Sequence, residues 1–172
     1  MISFAGIGAR ATPESILKEM GLIGQWAKSQ GYFINSGHAD GADYAFEKGA
    51  LEQTKVFLPW KNFNKEVELL GKPFVVGDNE VLDEWVEKFH PAPQNLSFGA
   101  RKLMRRNVCQ VLNEGLDDPV QAVICWTQSG GLTGGTAFAM RIAAYYHIPI
   151  FNMFDSNFAT AAQVIAELTK LV

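Results

Sequence analysis

The stretch QAVICWTQSGGLTGGTAFAM, residues 121–140, joins two apolar segments through a loop rich in glycine. The first segment is short and continuously apolar, which predicts a buried strand that ends at Thr127. The segment GGTAFAMRIAAYYH, residues 134–147, predicts a helix that begins near Thr136. A buried strand that leads directly into a helix is the repeating unit of α/β proteins.

The same alternation extends over the rest of the chain in both directions. Further apolar strands are predicted at residues 2–9, 32–37, 55–60, 73–77 and 148–153. Helices are predicted at residues 11–31, 40–51, 79–90, 96–115 and 157–172. This pattern predicts an α/β fold of three layers, a mainly parallel central sheet with helices on both faces. We expect a single domain over residues 1–172, with the less regular segment 61–95 as a candidate lid or insertion.

Composition excludes several classes of protein. Hydrophobic residues make up 48% and charged residues 19% of the 172 residues, which suits a packed core and not a disordered chain. The formal net charge of −3 provides no overall positive field to hold a long nucleic acid. The start of the chain does not resemble a signal peptide, and no apolar run reaches about 20 residues. We therefore expect a cytoplasmic protein with no membrane partner.

The cysteines and histidines give no sign of a metal site. Cys109 lies in a helical pattern and Cys125 in a strand-like run, so we expect both to be reduced residues of the core. No spacing of Cys and His matches a zinc site. We predict neither a metal nor a cofactor.

A first candidate cluster for ligand binding, GIGAR, follows the first predicted strand, at the sheet edge where α/β proteins bind ligands. Gly6 and Gly8 would let a ligand approach the backbone closely, and Arg10 would pair with a phosphate. The alternative is that both glycines only make a tight turn between strand and helix.

A second cluster, NSGHADGAD, follows the second strand. Ser36 and Gly37 end that strand, and His38 is a candidate base or ligand contact. Asp43 falls in the first turn of the next helix, where an acid suits the helix dipole. The alternative is that Asp40 and Asp43 only cap the helix and that His38 is solvated.

A third cluster, RKLMRR, concentrates basic residues in an otherwise acidic chain. Arg101 and Arg105 share one helical face, and Lys102 and Arg106 add two further positive charges. These residues form either an anion-binding face or an ordinary charged helix surface.

The glycine-rich loop quoted first is the fourth cluster. Backbone amides at a helix N-terminus bind anions, and Gly134 and Gly135 would let a phosphate come close to them. Thr133 and Thr136 add hydroxyl donors. The loop is not a P-loop, because no G-K-[ST] follows it. The alternative is that the glycines only make this loop flexible.

These clusters resemble the motifs of the DNA-processing protein A family. Residues 36–51, SGHADGADYAFEKGAL, resemble SG-x-A-x-G-I-D-x-x-A-H-x-G-A-L, with Phe46 where the family usually has histidine. RRNVCQVL resembles R-N-R-x-I-x-x-L through Arg106, Asn107 and Leu112, and residues 134–153 resemble G-x-x-T-x-x-A-x-x-A-x-x-x-x-R-P-V. The motifs occur in the same order and the match covers most of the chain.

The resemblance implies a Rossmann-like fold within the SLOG superfamily, whose members bind nucleotides, nucleotide-derived signals or single-stranded DNA. The chain is most similar to short, often phage-encoded members called DNA recombination-mediator protein A. This implies a homodimer or higher homo-oligomer, and the host cytoplasm if the chain is encoded by a phage.

The chain departs from the more distant LOG phosphoribohydrolases of that superfamily. Their P-G-G-x-G-T-x-x-E motif carries an essential glutamate in the helix after the glycines. Ala137, Phe138 and Ala139 stand at those places here. A substitute carboxylate would have to come from Asp40, Asp43 or Glu47.

We therefore expect a binding protein for a small phosphorylated nucleotide or nucleotide-derived signal. Its phosphate would lie on the amides of residues 134–136 between Arg10 and Arg106, and Trp60, Trp126 or Phe138 would stack on the base. The predicted ligand-binding residues are Gly6, Gly8, Arg10, Ser36, Gly37, His38, Asp43, Arg105, Arg106, Asn107, Gly134, Gly135 and Thr136.

Two alternatives stay open at this point. One is a nucleoside monophosphate N-glycosidase in which Asp43 or Asp40 is the catalytic carboxylate. The other is a recombination mediator that binds single-stranded DNA along the basic helix Arg101–Arg106. The sequence does not decide whether the protein is an enzyme.

Overall fold

The apolar segments of the sequence form six short strands in the computed structural model, which describes residues 1–132 and 134–172. The strands are β1 (Ser3–Gly6), β2 (Phe33–Ser36), β3 (Thr54–Leu58), β4 (Lys72–Val75), β5 (Ala122–Cys125) and β6 (Ile150–Asn152). The α-helices are α1 (Glu14–Ser29), α2 (Ala42–Ala50), α3 (Asp83–Phe89), α4 (Phe98–Leu112), α5 (Gly134–Tyr145) and α6 (Ala161–Leu168).

All six strands are parallel and form one sheet in the order β4-β3-β2-β1-β5-β6. Successive side chains of a strand point to opposite faces of the sheet, and in this sheet both faces are apolar. Phe4 and Ile124 pack with α1, α2 and α6 on one face, whereas Ala5 and Val123 pack with α3, α4 and α5 on the other. The predicted α/β fold, a Rossmann-like three-layer sandwich, is confirmed.

The order of the strands reverses at β1. The chain moves outward from β1 to β4 and then returns to place β5 on the other side of β1, with Gly6 opposite Ile124. The loops that follow β1 and β5 therefore diverge and leave a crevice above the carboxyl ends of both strands. Sheets of this kind bind their ligands at such a reversal point.

The segment 61–95 is partly built into this core. Its strand β4 pairs with β3 at the edge of the sheet, and Leu82 and Val86 are buried against the α4 side. Trp60, Phe63 and Asn64 lie beside the loop that follows β2, and the Asn64 side-chain amide donates to the His38 carbonyl at 3.0 Å.

Both cysteines are buried free thiols, and burial raises the pKa of Cys109 and of Cys125 to about 12. Among the described residues, no helix combines the length and the apolar character that crossing a membrane requires.

Candidate functional site

A cavity of about 470 Å³ opens at the crevice between β1 and β5. Its walls come from the loop after β1, the turn before α2, the middle of α4 and the first turn of α5, and one aromatic side chain, Phe63, closes a further side. The predicted site residues that line it are Gly8, Arg10, Asp43, Arg106, Asn107, Gly134, Gly135 and Thr136. All four sequence clusters thus contribute to the cavity, and Asn107 of α4 adds a further polar side chain.

The first turn of α5 forms one wall of the cavity. The first four N–H groups of a helix have no partner within the helix and carry its positive dipole end, which favours anions. Gly134 and Gly135 are exposed, and a Cβ added to Gly134 would meet nothing within 4 Å. Thr136 follows them, whereas Thr133 lies outside the described residues. An anionic group can therefore reach this backbone.

Arg106 and Asp43 form another part of the wall. The Arg106 guanidinium is buried, donates to the Gly37 carbonyl and lies 3.7 Å from the Asp43 carboxylate. The backbone N–H of Gly37 in turn donates to Asp43 at 3.0 Å. Burial raises the pKa of Asp43 to about 6, although the charge of Arg106 opposes the shift. Burial also lowers the pKa of Arg106.

Two buried polar atoms beside the cavity are unpaired within the described part of the chain. They are the Nε of Arg106 and the Oδ1 of Asn107. The Nδ2 of Asn107 donates to the Gly135 carbonyl at 3.2 Å and so ties α4 to the start of α5. Buried polar groups in native proteins are normally satisfied by protein, water or ligand, so this pair favours a polar group in the cavity.

Ser36 and His38, two of the predicted ligand contacts, are not among the residues that line the cavity. The Ser36 hydroxyl donates to one oxygen of Glu47 at 2.6 Å, and His38 Nδ1 lies 2.9 Å from the other. All three side chains are buried, and the hydrogen bond to Glu47 raises the pKa of His38 against the opposing effect of burial. This array instead fixes the loop that carries Gly37.

Arg105, another predicted ligand contact, does not line the cavity either. Its guanidinium binds Asp83 through two hydrogen bonds of 2.8 Å, and hydrogen bonding to this carboxylate raises the pKa of Arg105. Arg101 pairs with Glu87 at 2.8 Å and Lys102 with Asp78 at 2.9 Å. The basic face of α4 is therefore neutralised by acids from the segment 61–95. Of the four basic residues of this cluster, only Arg106 lines the cavity.

The glycines at and after the ends of β1 and β2 allow close packing as well as access to the backbone. A Cβ on Gly6 would lie 2.6 Å from the Phe46 ring, and one on Gly8 would lie 2.6 Å from the Ala42 Cβ. Gly8 also lines the cavity, whereas Gly6 does not. A Cβ on Gly37 would overlap the Arg106 guanidinium. Gly37 therefore supports the site through Arg106 without lining it.

The two carboxylates considered for catalysis are placed differently. Asp43 lines the cavity, whereas Asp40 is exposed outside it and accepts a hydrogen bond from the Asn64 side chain at 3.0 Å. Neither acid caps α2, because its N-cap residue is Gly41 and no side chain caps it. Glu47, the third candidate, is held beneath the loop by Ser36 and His38.

The predicted stacking residues need the largest correction. Phe138 is a buried core residue, and Trp126 packs against Phe154 with ring centroids 6.3 Å apart, so neither faces the cavity. Trp60 lies in a groove beside the cavity. Phe63, which sequence reasoning missed, lines both, and its ring centroid is 5.7 Å from the Arg106 guanidinium. Its irregular segment offered no periodic signal.

Two solved structures resemble this chain over nearly its full length. DNA processing protein A from Helicobacter pylori, described by its single-stranded DNA binding mode, matches with a TM-score of 0.63 and 20% identity over 98% of this chain and 73% of its own. The Moco carrier protein of Chlamydomonas rheinhardtii matches with a TM-score of 0.59 and 16% identity over 99% of this chain and 97% of its own. No protein-family model and no curated protein matches the sequence. The likeness is one of fold.

Proposed function

We propose that the protein binds a small phosphorylated ligand of the nucleotide class in the cavity between β1 and β5. One observation carries the proposal: the open first turn of α5 and the buried Arg106 line the same cavity, and the Nε of Arg106, a hydrogen-bond donor, is left unpaired among the described residues. Amides at a helix N-terminus combined with a guanidinium form a site for phosphate. The resemblance to SLOG proteins supports the nucleotide class.

The charge of the cavity supports this choice. Two arginines line the cavity, Arg10 exposed at the rim and Arg106 buried within, against one acidic residue, Asp43. The local field is therefore positive although the whole chain carries −3. A compact anion that fits in the cavity is attracted by this local positive charge. A long polyanion would extend beyond the cavity and be repelled by the acidic surface.

Single-stranded DNA is the second candidate ligand, and the likeness to DNA processing protein A favours it. The paired state of Arg101, Lys102 and Arg105 argues against the predicted path along α4. A DNA strand would instead have to bind through a phosphate at the first turn of α5. Such binding would weaken steeply with salt.

Hydrolysis of an N-glycosidic bond is the third candidate. It is favoured by Asp43, because a cavity-lining carboxyl with a pKa of about 6 can hold and transfer a proton near neutral pH. Release of free base from a nucleoside monophosphate, followed by chromatography, distinguishes an enzyme from a binding protein.

The resemblance further leads us to propose a cytoplasmic homodimer or higher homo-oligomer. Sedimentation velocity at micromolar concentration tests the oligomeric state.

The test of the main proposal is a nucleotide panel read by thermal shift and calorimetry, with the variant Gly135→Asp. A carboxylate at Gly135 adds negative charge at the anion-binding end of α5, so we expect at least a tenfold loss of affinity. The matched control is Gly99→Asp in the first turn of α4, outside the cavity, where an added Cβ meets nothing within 4 Å; one on Gly135 makes only ordinary contacts, 3.7 Å from Met104 and 3.8 Å from Asn107. Equal affinity of parent and Gly135→Asp would contradict the phosphate assignment.

A further inference from the structure

A second groove adjoins the cavity on the side of residues 60–64. Its volume is about 250 Å³, and its walls are Arg10, Ala39, Asp40, Trp60, Phe63 and Asn64. Three of these residues, Arg10, Ala39 and Phe63, also line the cavity. The two spaces are therefore neighbours, and one ligand can occupy both.

We propose that this groove receives the base of the nucleotide whose phosphate lies at the start of α5, and that it selects bases with an exocyclic amino group. The inference rests on the proposed function and specifies its ligand. Trp60 and Phe63 form the stacking surface, and Asp40 accepts a hydrogen bond from the amino group.

The aromatic walls suit a flat ring. The rings of Trp60 and Phe63 lie 5.1 Å apart between centroids at 88°, so a base stacked on one presents its edge to the other. Trp60 keeps 37% of its surface exposed, an unusually open position for tryptophan. Base–aromatic stacking strengthens binding by roughly tenfold or more.

The backbone conformation on either side of Phe63 fixes the position of this residue. Asn62 and Asn64, on either side of it, have φ of +65° and +50°, a left-handed conformation that asparagine tolerates better than most residues. The Asn64 amide donates to both the His38 carbonyl and the Asp40 carboxylate at 3.0 Å. The loop with Phe63 is thereby fastened to the loop that follows β2.

The polar residues of the groove determine which bases it accepts. Asp40 is exposed, and an ionised carboxylate only accepts hydrogen bonds. The N4 amino group of cytosine donates to such an acceptor, whereas the O4 of uracil at the same place is itself an acceptor. Arg10 lies between the two spaces, where it can contact the phosphate and cover the base.

Calorimetry tests this with three ligands that share a phosphate: ribose 5-phosphate, cytidine 5′-monophosphate and uridine 5′-monophosphate. We expect the cytidine nucleotide to bind about tenfold more tightly than either of the others. Trp60→Ala should remove most of this advantage and Trp60→Phe should restore it. Asp40→Asn should reduce the preference for cytidine over uridine. Phe98→Ala is the control, because it removes an exposed aromatic ring outside the groove.

The outcomes separate the two assignments. Equal binding of all three ligands, unaffected by Trp60→Ala but lost in Gly135→Asp, would overturn the base groove and leave the phosphate site intact. Tight cytidine binding that survives Gly135→Asp and is lost in Trp60→Ala would support the groove and overturn the phosphate site. No binding of any phosphorylated ligand would overturn both.

Discussion

At the scale of single residues, the site depends on a buried contact between Arg106 and the loop after β2. Gly37 provides both halves of this contact, because its carbonyl accepts from Arg106 and its N–H donates to Asp43. A side chain at position 37 would occupy the space of the guanidinium. The glycine of the SG motif is thus explained by the approach of an arginine, a reason the sequence does not reveal.

Replacing Gly37 by alanine should displace Arg106 from its pocket. We expect the free energy of unfolding to fall by about 1–3 kcal/mol, because a buried charge loses its acceptor. Phosphate affinity should fall with it. Denaturant titration and calorimetry measure both quantities. Gly99→Ala is the control, since its added Cβ meets nothing within 4 Å. Wild-type affinity and stability in Gly37→Ala would contradict the placement of Arg106.

Asp43 makes anion binding depend on pH. Its pKa of about 6 in the free protein should rise when an anion occupies the cavity, so binding takes up a proton and weakens as pH rises through 6. Sulfate is the probe, because its own charge is constant in this range. We expect its affinity to fall about tenfold between pH 5 and pH 8.

The variant Asp43→Asn should bind sulfate with little dependence on pH. A pH dependence that persists in this variant would show that another group titrates, and the candidate is the buried His38, whose pKa is raised by its hydrogen bond to Glu47. An affinity that rises with pH in the parent would contradict the role given to Asp43.

At the scale of elements, α4 divides its basic residues between two surfaces. Arg106 and Asn107 turn to the cavity, whereas Arg105 turns to Asp83 and Arg101 to Glu87. The partners are 22 and 14 residues apart, so helical spacing within α4 does not show which arginines are paired. Fewer arginines of α4 are therefore available to an anion than the sequence indicated.

Asp83→Asn tests the pairing. The hydrogen bonds of Arg105 lower the pKa of Asp83, so the pair stabilises the fold above the ordinary carboxyl pKa, and the effect is lost as pH falls through the lowered value. Asp83 is partly exposed, so we expect a loss of about 1 kcal/mol at pH 7 and none in strong acid. Urea titration at both pH values measures it.

The same variant bears on the DNA alternative. Asp83→Asn leaves Arg105 and Arg101 less neutralised, and weak salt-dependent binding of a labelled single strand should then appear or increase. Unchanged DNA binding, together with unchanged stability at pH 7, would show that the ion pairs contribute nothing in solution.

At the scale of the whole molecule, the fold followed from the sequence because its signals are local. Continuous apolar strands such as β1 and β5 alternate with helices, and this pattern determines a covered parallel sheet. The site was predictable only in part, since Gly134 and Gly135 have a local signature. The position of Phe63 at the cavity and the burial of Phe138 depend on contacts between segments that are far apart in the sequence. Residue spacing gives no information about such contacts.

The central claim is that the first turn of α5 holds the phosphate, and backbone amide NMR during a titration with cytidine 5′-monophosphate tests it most directly. We predict that the largest shifts fall on the amides of Gly134, Gly135 and Thr136, with smaller ones at Gly8, and none at Gly99. Shifts confined to another surface, such as the groove between α1 and α2 lined by Lys18 and Lys48, would contradict the claim.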